Sequence, residues 1–345
     1  MSQRLRVAII GLGSIGERHT RCFQATQRVD LAICDCDEAL CATVQHRYSI
    51  DQVYADVAGV IRAQPDVAVI ATPANLHIPM ANKLAEAGIH LLIEKPLSTS
   101  LEAVDHLCNL VVQQRLVVSV AYTMRSHPSL AGMRKAIQGG AFGRPLQLVV
   151  TGGQHFPTYR PAYREIYYRD HKTGGGAIQD ALTHAVNAAE WIVGPVTELA
   201  ADAGHLALPG VQVEDTVHVV ARHGDVMASY NLNQHQAPNE STLTVICEKA
   251  SLRCEFHHQQ WKWLSEPAGE WVVEKNGPFE RDQLYIDQAH TYLDALEHGN
   301  PVACSISEGL QTLRVNLAIL KAVKTRTWQM LPTLEKGVSH VVEYT

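Results

Sequence analysis

Short apolar runs alternate with amphipathic stretches through the first third of the chain. The runs at 5–10, 29–34, 67–71, 89–93 and 116–120 are rich in Val, Ile and Leu, and the first four lead into Gly11, Asp35, Thr72 and Glu94. Between them, 79–87 and 101–112 carry the spacing of helices with one buried face. Continuous apolar strands alternating with helices predict βαβ units and a parallel sheet covered on both sides. The character changes near Tyr122. After a helix expected at 129–138, longer strands with period-two alternation are predicted at 215–222, 226–232 and 241–247, as in an antiparallel sheet with one buried face. Two helices, at 284–297 and 307–325, are expected to close the pattern.

The chain has 345 residues, which suggests two domains, because a single core rarely grows past roughly 250–300 residues. The expected division is 1–122 and 123–345. With 46% hydrophobic and 19% charged residues the composition is that of a globular protein. A net charge of -6 argues against a nucleic-acid partner, since no basic excess exists to neutralise phosphates. No run resembles a signal-peptide core or a membrane span, so no membrane partner and a cytoplasmic location are expected. The eight cysteines form no zinc-like pair of Cys-x-x-Cys motifs, and no metal is expected; Cys34 and Cys36 are read as reduced packing residues. His257 and His258, without an acidic partner at ligand spacing, are expected on the surface.

Gly11-Leu12-Gly13-Ser14-Ile15-Gly16 directly follows the first strand and opens a helix. Gly11 suits a tight turn, Gly13 the close approach of a pyrophosphate, and Gly16 helix–strand packing; the helix N-terminus offers N–H groups to phosphate. A lone GxGxxG is weak, but strand before and helix after make this a dinucleotide fingerprint and predict an N-terminal Rossmann, doubly wound parallel sheet. Asp35 ends the second strand, where a carboxylate accepts hydrogen bonds from the adenosine ribose and repels a 2′-phosphate. NAD is therefore expected over NADP. Asp37 is the competing candidate.

Glu94-Lys95-Pro96 follows the strand ending at 93, on the side where open α/β sheets bind ligands. A lysine there can stabilise charge on a substrate oxygen, although an isolated lysine is usually only solvated. A cis peptide is expected between Lys95 and Pro96, since proline lowers its cost to about 0.5–1 kcal/mol. Farther on, Gly174-Gly175-Gly176 reads as a flexible lead into a helix carrying Asp180 and His184, four residues apart on one face. Histidine is the natural acid–base group near neutral pH, and a carboxylate can orient it.

Together these pieces resemble the Gfo/Idh/MocA family, the glucose–fructose oxidoreductase and inositol dehydrogenase group. The likeness spans the chain and rests on Gly11, Gly13 and Gly16, on Thr72-Pro73 with His77, on Glu94-Lys95-Pro96, on Tyr122 with Arg125 and His127-Pro128, and on the glycine triplet with Asp180 and His184. The resemblance implies a C-terminal α+β domain with a large, mostly antiparallel open sheet. It implies catalytic Lys95, Asp180 and His184, with His184 as the base, and cofactor contacts from Ser14, Ile15, Thr72, Pro73, Asn75, His77, Glu94 and Arg125. The sequence departs from the pattern at Ala74, where many members have asparagine, and at Asn187, where many have aspartate.

The segment 155–172 is crowded with tyrosines and basic residues ahead of the triplet. It reads either as a substrate wall or as an exposed crossover loop. Tyr122, Arg125, His155, Tyr159, Arg160 and Tyr163 are the expected substrate contacts beside Lys95, Asp180 and His184. The expected function is hydride transfer from a secondary hydroxyl of a sugar, inositol-like polyol or sugar derivative to NAD. A redox-assisted NAD-dependent glycosidase and a non-catalytic sugar sensor are the alternatives. The alternating C-terminal sheet must cover its second face, so a homodimer or homotetramer through that sheet is expected.

Overall fold

The computed structural model describes residues 4–275 and 277–332. It divides into two compact units. One holds residues 4–126 together with Phe279–Leu310; the other holds 127–275, 277–278 and 311–332.

In the first unit six strands form one parallel sheet: β1 (Leu5–Ile10), β2 (Val29–Cys34), β3 (Gln52–Tyr54), β4 (Val67–Ile70), β5 (His90–Ile93) and β6 (Val118–Val120). Their order is β3-β2-β1-β4-β5-β6, the doubly wound dinucleotide-binding arrangement. Burial on both faces explains the unbroken apolar runs: Val7, Ala8, Ile9, and Val67 through Ile70 are fully enclosed. The edge strand β3, with Gln52 exposed and two half-buried neighbours, lacks such a run, and the sequence pattern passes over it.

The helix Arg281–His298, expected with the C-terminal domain, belongs to this first unit. Ala289, Tyr292 and Leu293 enter the same core as Val7, Ile9 and Phe23. Asp282 pairs with Arg18 and Arg21 of the helix Ser14–Ala25, and Arg28 reaches Asp294 and Glu297. Periodicity shows that this segment is a helix, but not whose core takes its apolar stripe.

The second unit is built on nine strands: β7 (Pro145–Gly153), β8 (Glu198–Gly204), β9 (Thr216–His223), β10 (Val226–Asn233), β11 (Glu240–Cys247), β12 (Ser251–Glu255), β13 (Gln260–Leu264), β14 (Val272–Lys275) and β15 (Gln329–Met330). The order is β14-β13-β12-β11-β7-β10-β9-β8-β15. Every pairing is antiparallel except β7 with β10. Val217, Val219 and Ala221 of β9 and Val226, Ala228 and Tyr230 of β10 are buried on one face, as the alternation predicts. The opposite face carries Val220, Met227 and Met330, each more than half exposed.

Candidate functional site

The first unit builds a nucleotide cradle from the turn after β1. Gly11 has φ +88°, and a Cβ there would sit 2.9 Å from the Ala71 carbonyl group. A Cβ on Gly16 would collide with the Gly11 carbonyl oxygen. A Cβ on Gly13 would meet nothing within 4 Å. Gly13 is also the N-cap of the helix Ser14–Ala25, and no side chain caps it. Two glycines therefore answer to the protein's own backbone, and the third leaves room beside uncapped helix N–H groups. That is the local chemistry a pyrophosphate needs, so these residues fit a dinucleotide.

Asp35 stands at the end of β2 and braces this turn. Its Oδ2 accepts the Leu12 N–H at 2.7 Å and its Oδ1 the Asp37 N–H at 3.0 Å. Asp37, the rival candidate, caps the next helix by accepting the Leu40 N–H.

The turn after β5 is fixed from two sides. The Glu94 carboxylate, almost fully buried, accepts the Lys95 backbone N–H at 3.0 Å and lies 2.7 Å from His19 Nε2. His19 was not singled out in the sequence. Its signal is its place three residues after Gly16, on the helix face that turns toward the sheet. The Lys95–Pro96 peptide is cis. His77 is buried, with Nε2 2.8 Å from the Thr72 carbonyl oxygen and Nδ1 3.0 Å from that of Pro96. Burial holds its pKa below the usual histidine value. His77 thus ties the loop after β4 to the loop after β5, while Pro73 and Asn75 are exposed beside it.

Arg125, expected as a ligand contact, is instead built into the fold of this unit. Its guanidinium donates to the Ala303 carbonyl at 2.9 Å and to Glu308 at 2.5 Å. Burial works against ionisation of Glu308, yet the Arg125 charge and the Ser305 hydrogen bonds hold its pKa below the ordinary value. Tyr122 is 1% exposed, at the end of β6.

In the second unit the glycine triplet is not a flexible lead: all three glycines are buried. A Cβ on Gly175 would strike the Tyr168 carbonyl, and one on Gly176, where φ is +88°, would lie 2.5 Å from the Glu214 carboxylate. The helix after the triplet opens with a π-helical turn, Ile178–Leu182, before the α-helix Thr183–Val193. Such turns are rare and recur at functional sites. Asp180 lies on it with its carboxylate buried; Arg160 Nη1 donates to Oδ2 at 3.1 Å and the Tyr167 hydroxyl to Oδ1 at 2.7 Å. His184 is half-buried in the first α-helical turn.

The segment 155–172 is neither simple loop nor simple wall. Four short helical turns surround an aromatic cluster of Phe156, Tyr163 and Tyr168, with ring centroids 5.0–6.4 Å apart. Tyr163, expected to touch substrate, is 1% exposed, and its hydroxyl donates to the Pro209 carbonyl at 2.8 Å; it is a packing residue. Tyr159 is exposed and His155 half-buried, its Nδ1 2.8 Å from the Thr158 hydroxyl. Tyr167 belongs to the tyrosine-rich segment the sequence marks, but its bond to Asp180 is not legible there, and Glu214 is a residue of the site that the sequence pattern does not single out. Neither bond has a local signature, since the partners lie 13 and 36 positions away.

Comparison with known proteins agrees with both halves. Levoglucosan dehydrogenase of Pseudarthrobacter phenanthrenivorans is 25% identical over 391 aligned positions, covering 96% of this chain and 99% of that protein. Myo-inositol 2-dehydrogenase of Thermotoga maritima is 23% identical, covering 93% and 97%. The solved structure of levoglucosan dehydrogenase in complex with NADH and levoglucosan has the same fold, with a TM-score of 0.88 at 22% identity over 96% of this chain and all of that one. The profile of the oxidoreductase family with an NAD-binding Rossmann fold matches residues 5–122, and that of the Gfo/Idh/MocA C-terminal domain matches residues 130–253. The chain therefore belongs to the Gfo/Idh/MocA family of NAD-binding oxidoreductases.

Proposed function

We propose that the protein is a dehydrogenase that oxidises a secondary hydroxyl of a sugar or polyol, inositol-like rings included. Gly11, Gly13, Ser14, Ile15 and Gly16 would hold the pyrophosphate of NAD and Asp35 its adenosine ribose, with Thr72, Pro73, Asn75 and Glu94 bordering the nicotinamide end. NAD, when bound, supplies the hydride acceptor. Lys95 donates a hydrogen bond to the substrate hydroxyl and steadies charge growing on its oxygen. His184 accepts the hydroxyl proton, because an alcohol gives up hydride readily only as its proton leaves. Asp180, held by Arg160 and Tyr167, is the carboxyl group one turn before His184. The observation that carries this reading is the complete set, Lys95, Asp180 and His184, on a chain aligned end to end with a sugar dehydrogenase. The test is NADH formation from a panel of levoglucosan, inositols, aldoses and sugar acids, with NAD or NADP. If no panel member yields NADH while NAD binds, the reading fails.

We also propose self-association through the outer face of the nine-stranded sheet. Val220, Met227 and Met330, with the half-buried Val149 on β7 and Ile246 on β11, put apolar side chains on that face. Light scattering at micromolar concentration should show a dimer or tetramer, and Val220→Asp with Met227→Lys should yield monomers. A monomeric parent protein would remove the idea.

A further inference from the structure

The N-terminal turn of any helix leaves backbone N–H groups without intrahelical partners. At the turn carrying Asp180 two of these are met by one residue. The Ala177 N–H donates to the Glu214 main-chain oxygen at 2.9 Å, and the Ile178 N–H donates to Glu214 Oε1, also at 2.9 Å. The same carboxylate fills the space that a Cβ on Gly176 would need. Glu214 is 7% exposed, and its second oxygen, Oε2, is bonded to Nε2 of His171. His171 reaches the turn a second way, since its carbonyl accepts Gln179 Nε2 at 3.0 Å. Ala177, Ile178 and Gln179, the three residues before Asp180, are thus held directly or indirectly by Glu214.

We propose that Glu214 is a positioning residue: it sets the start of the π-helical turn and thereby the placement of Asp180 and His184, with His171 clamping its second oxygen. The proposal rests on the reading of Asp180 and His184 as the substrate-side site. A buried carboxylate at a helix start is favoured by the N–H groups and by the helix dipole, and Gly176, which has no Cβ, leaves the space for it. The His171 bond to Glu214 raises the His171 pKa above its usual value, against the effect of burial. The charged groups facing His171 are Glu214 and Asp170. A histidine with a raised folded-state pKa holds its partner most firmly below about pH 6.5, and the hold is lost as pH rises through the raised value.

Two measurements test this on the full chain. Hydrogen exchange of amides in the stretch 176–184 reads the turn directly, whether or not the protein oxidises sugars. Glu214→Ala should speed exchange there by about tenfold or more, and Glu214→Gln, which keeps an acceptor oxygen for Ile178 N–H, should restore most of the protection. If Glu214→Ala does not fold, His171→Ala takes its place: it should loosen the same stretch at about pH 6 and match the parent protein at about pH 9. In steady-state kinetics Glu214→Ala should lower kcat by about tenfold with NADH affinity unchanged, and Glu214→Gln should recover it. Unchanged exchange in Glu214→Ala and His171→Ala overturns the proposal, as does a Gln variant no better than Ala. Absent turnover in the parent protein with the expected exchange pattern would sink the dehydrogenase reading and leave the role of Glu214 standing.

Discussion

The two glycine-rich stretches look alike in sequence, and what separates them in space is the room beside Gly13. In the first, Gly13 faces open room beside an uncapped helix end. In the second, the space beside Gly175 and Gly176 is already filled, by the Tyr168 carbonyl and the Glu214 carboxylate. The first stretch is shaped to receive an outside anion. The second packs against the protein's own oxygen atoms, and its purpose is to fix the turn that carries Asp180. A glycine cluster therefore reports that atoms come close to the backbone, and only the neighbours tell whether those atoms belong to a ligand or to the fold.

The proposed chemistry is tested most strongly at its two reacting groups, His184 on the helix after the second glycine stretch and Lys95 in the turn after β5 of the first unit. His184→Ala is expected to lower turnover by roughly 10²–10⁴-fold, the usual worth of a positioned acid–base group, with NADH affinity unchanged. Lys95→Ala should be similarly severe, and the double variant should lose less than the product of the two, because both act on one hydroxyl. Near-normal turnover in His184→Ala, with an unaltered acidic limb of the pH profile, would assign the base elsewhere.

Alanine at the two kinds of glycine sharpens the comparison next. Gly176→Ala combines a positive φ with a collision against Glu214, so it should cost about 1–3 kcal/mol of stability in urea unfolding without cofactor, and leave NADH binding alone. Gly13→Ala meets no atom of the protein and has φ -57°, so it should cost at most about 1 kcal/mol. It should nonetheless weaken NADH about tenfold or more by intruding on the phosphates. Equal stability losses in the two variants would erase the distinction drawn above.

The smallest expected effect concerns cofactor choice. Asp35→Ser with Cys36→Arg should improve NADP use relative to NAD by removing repulsion and adding a phosphate partner. Because Asp35 also accepts the Leu12 N–H, the change should loosen the glycine turn and raise KM for both cofactors. A parent enzyme that already prefers NADP would show Asp35 to be misread.

Much of this molecule is written locally. The runs at 5–10 and 29–34 match β1 and β2 end to end, and the strands predicted at 215–222, 226–232 and 241–247 fall within one residue of β9, β10 and β11, while β7, β8 and β12 to β15 carry no pattern that predicts them. Apolar periodicity decides these elements because each buries its own face, and the order strand, glycine turn, helix marks the cradle because the Gly16–Gly11 contact lies within five residues. Lys95, Asp180 and His184 stand out in the sequence only as members of two short motifs, and their proposed catalytic roles rest on the family resemblance. The tertiary structure alone decided the rest. It assigned the helix Arg281–His298 to the first unit, turned Tyr163 inward to the Pro209 carbonyl, and tied Arg125 to Glu308. It also brought Tyr167, Arg160 and Glu214 to the turn that carries Asp180. These outcomes depend on hydrogen-bond partners 13 to 269 positions away along the chain, and a partner at that distance leaves no mark on the local pattern of apolar and polar residues.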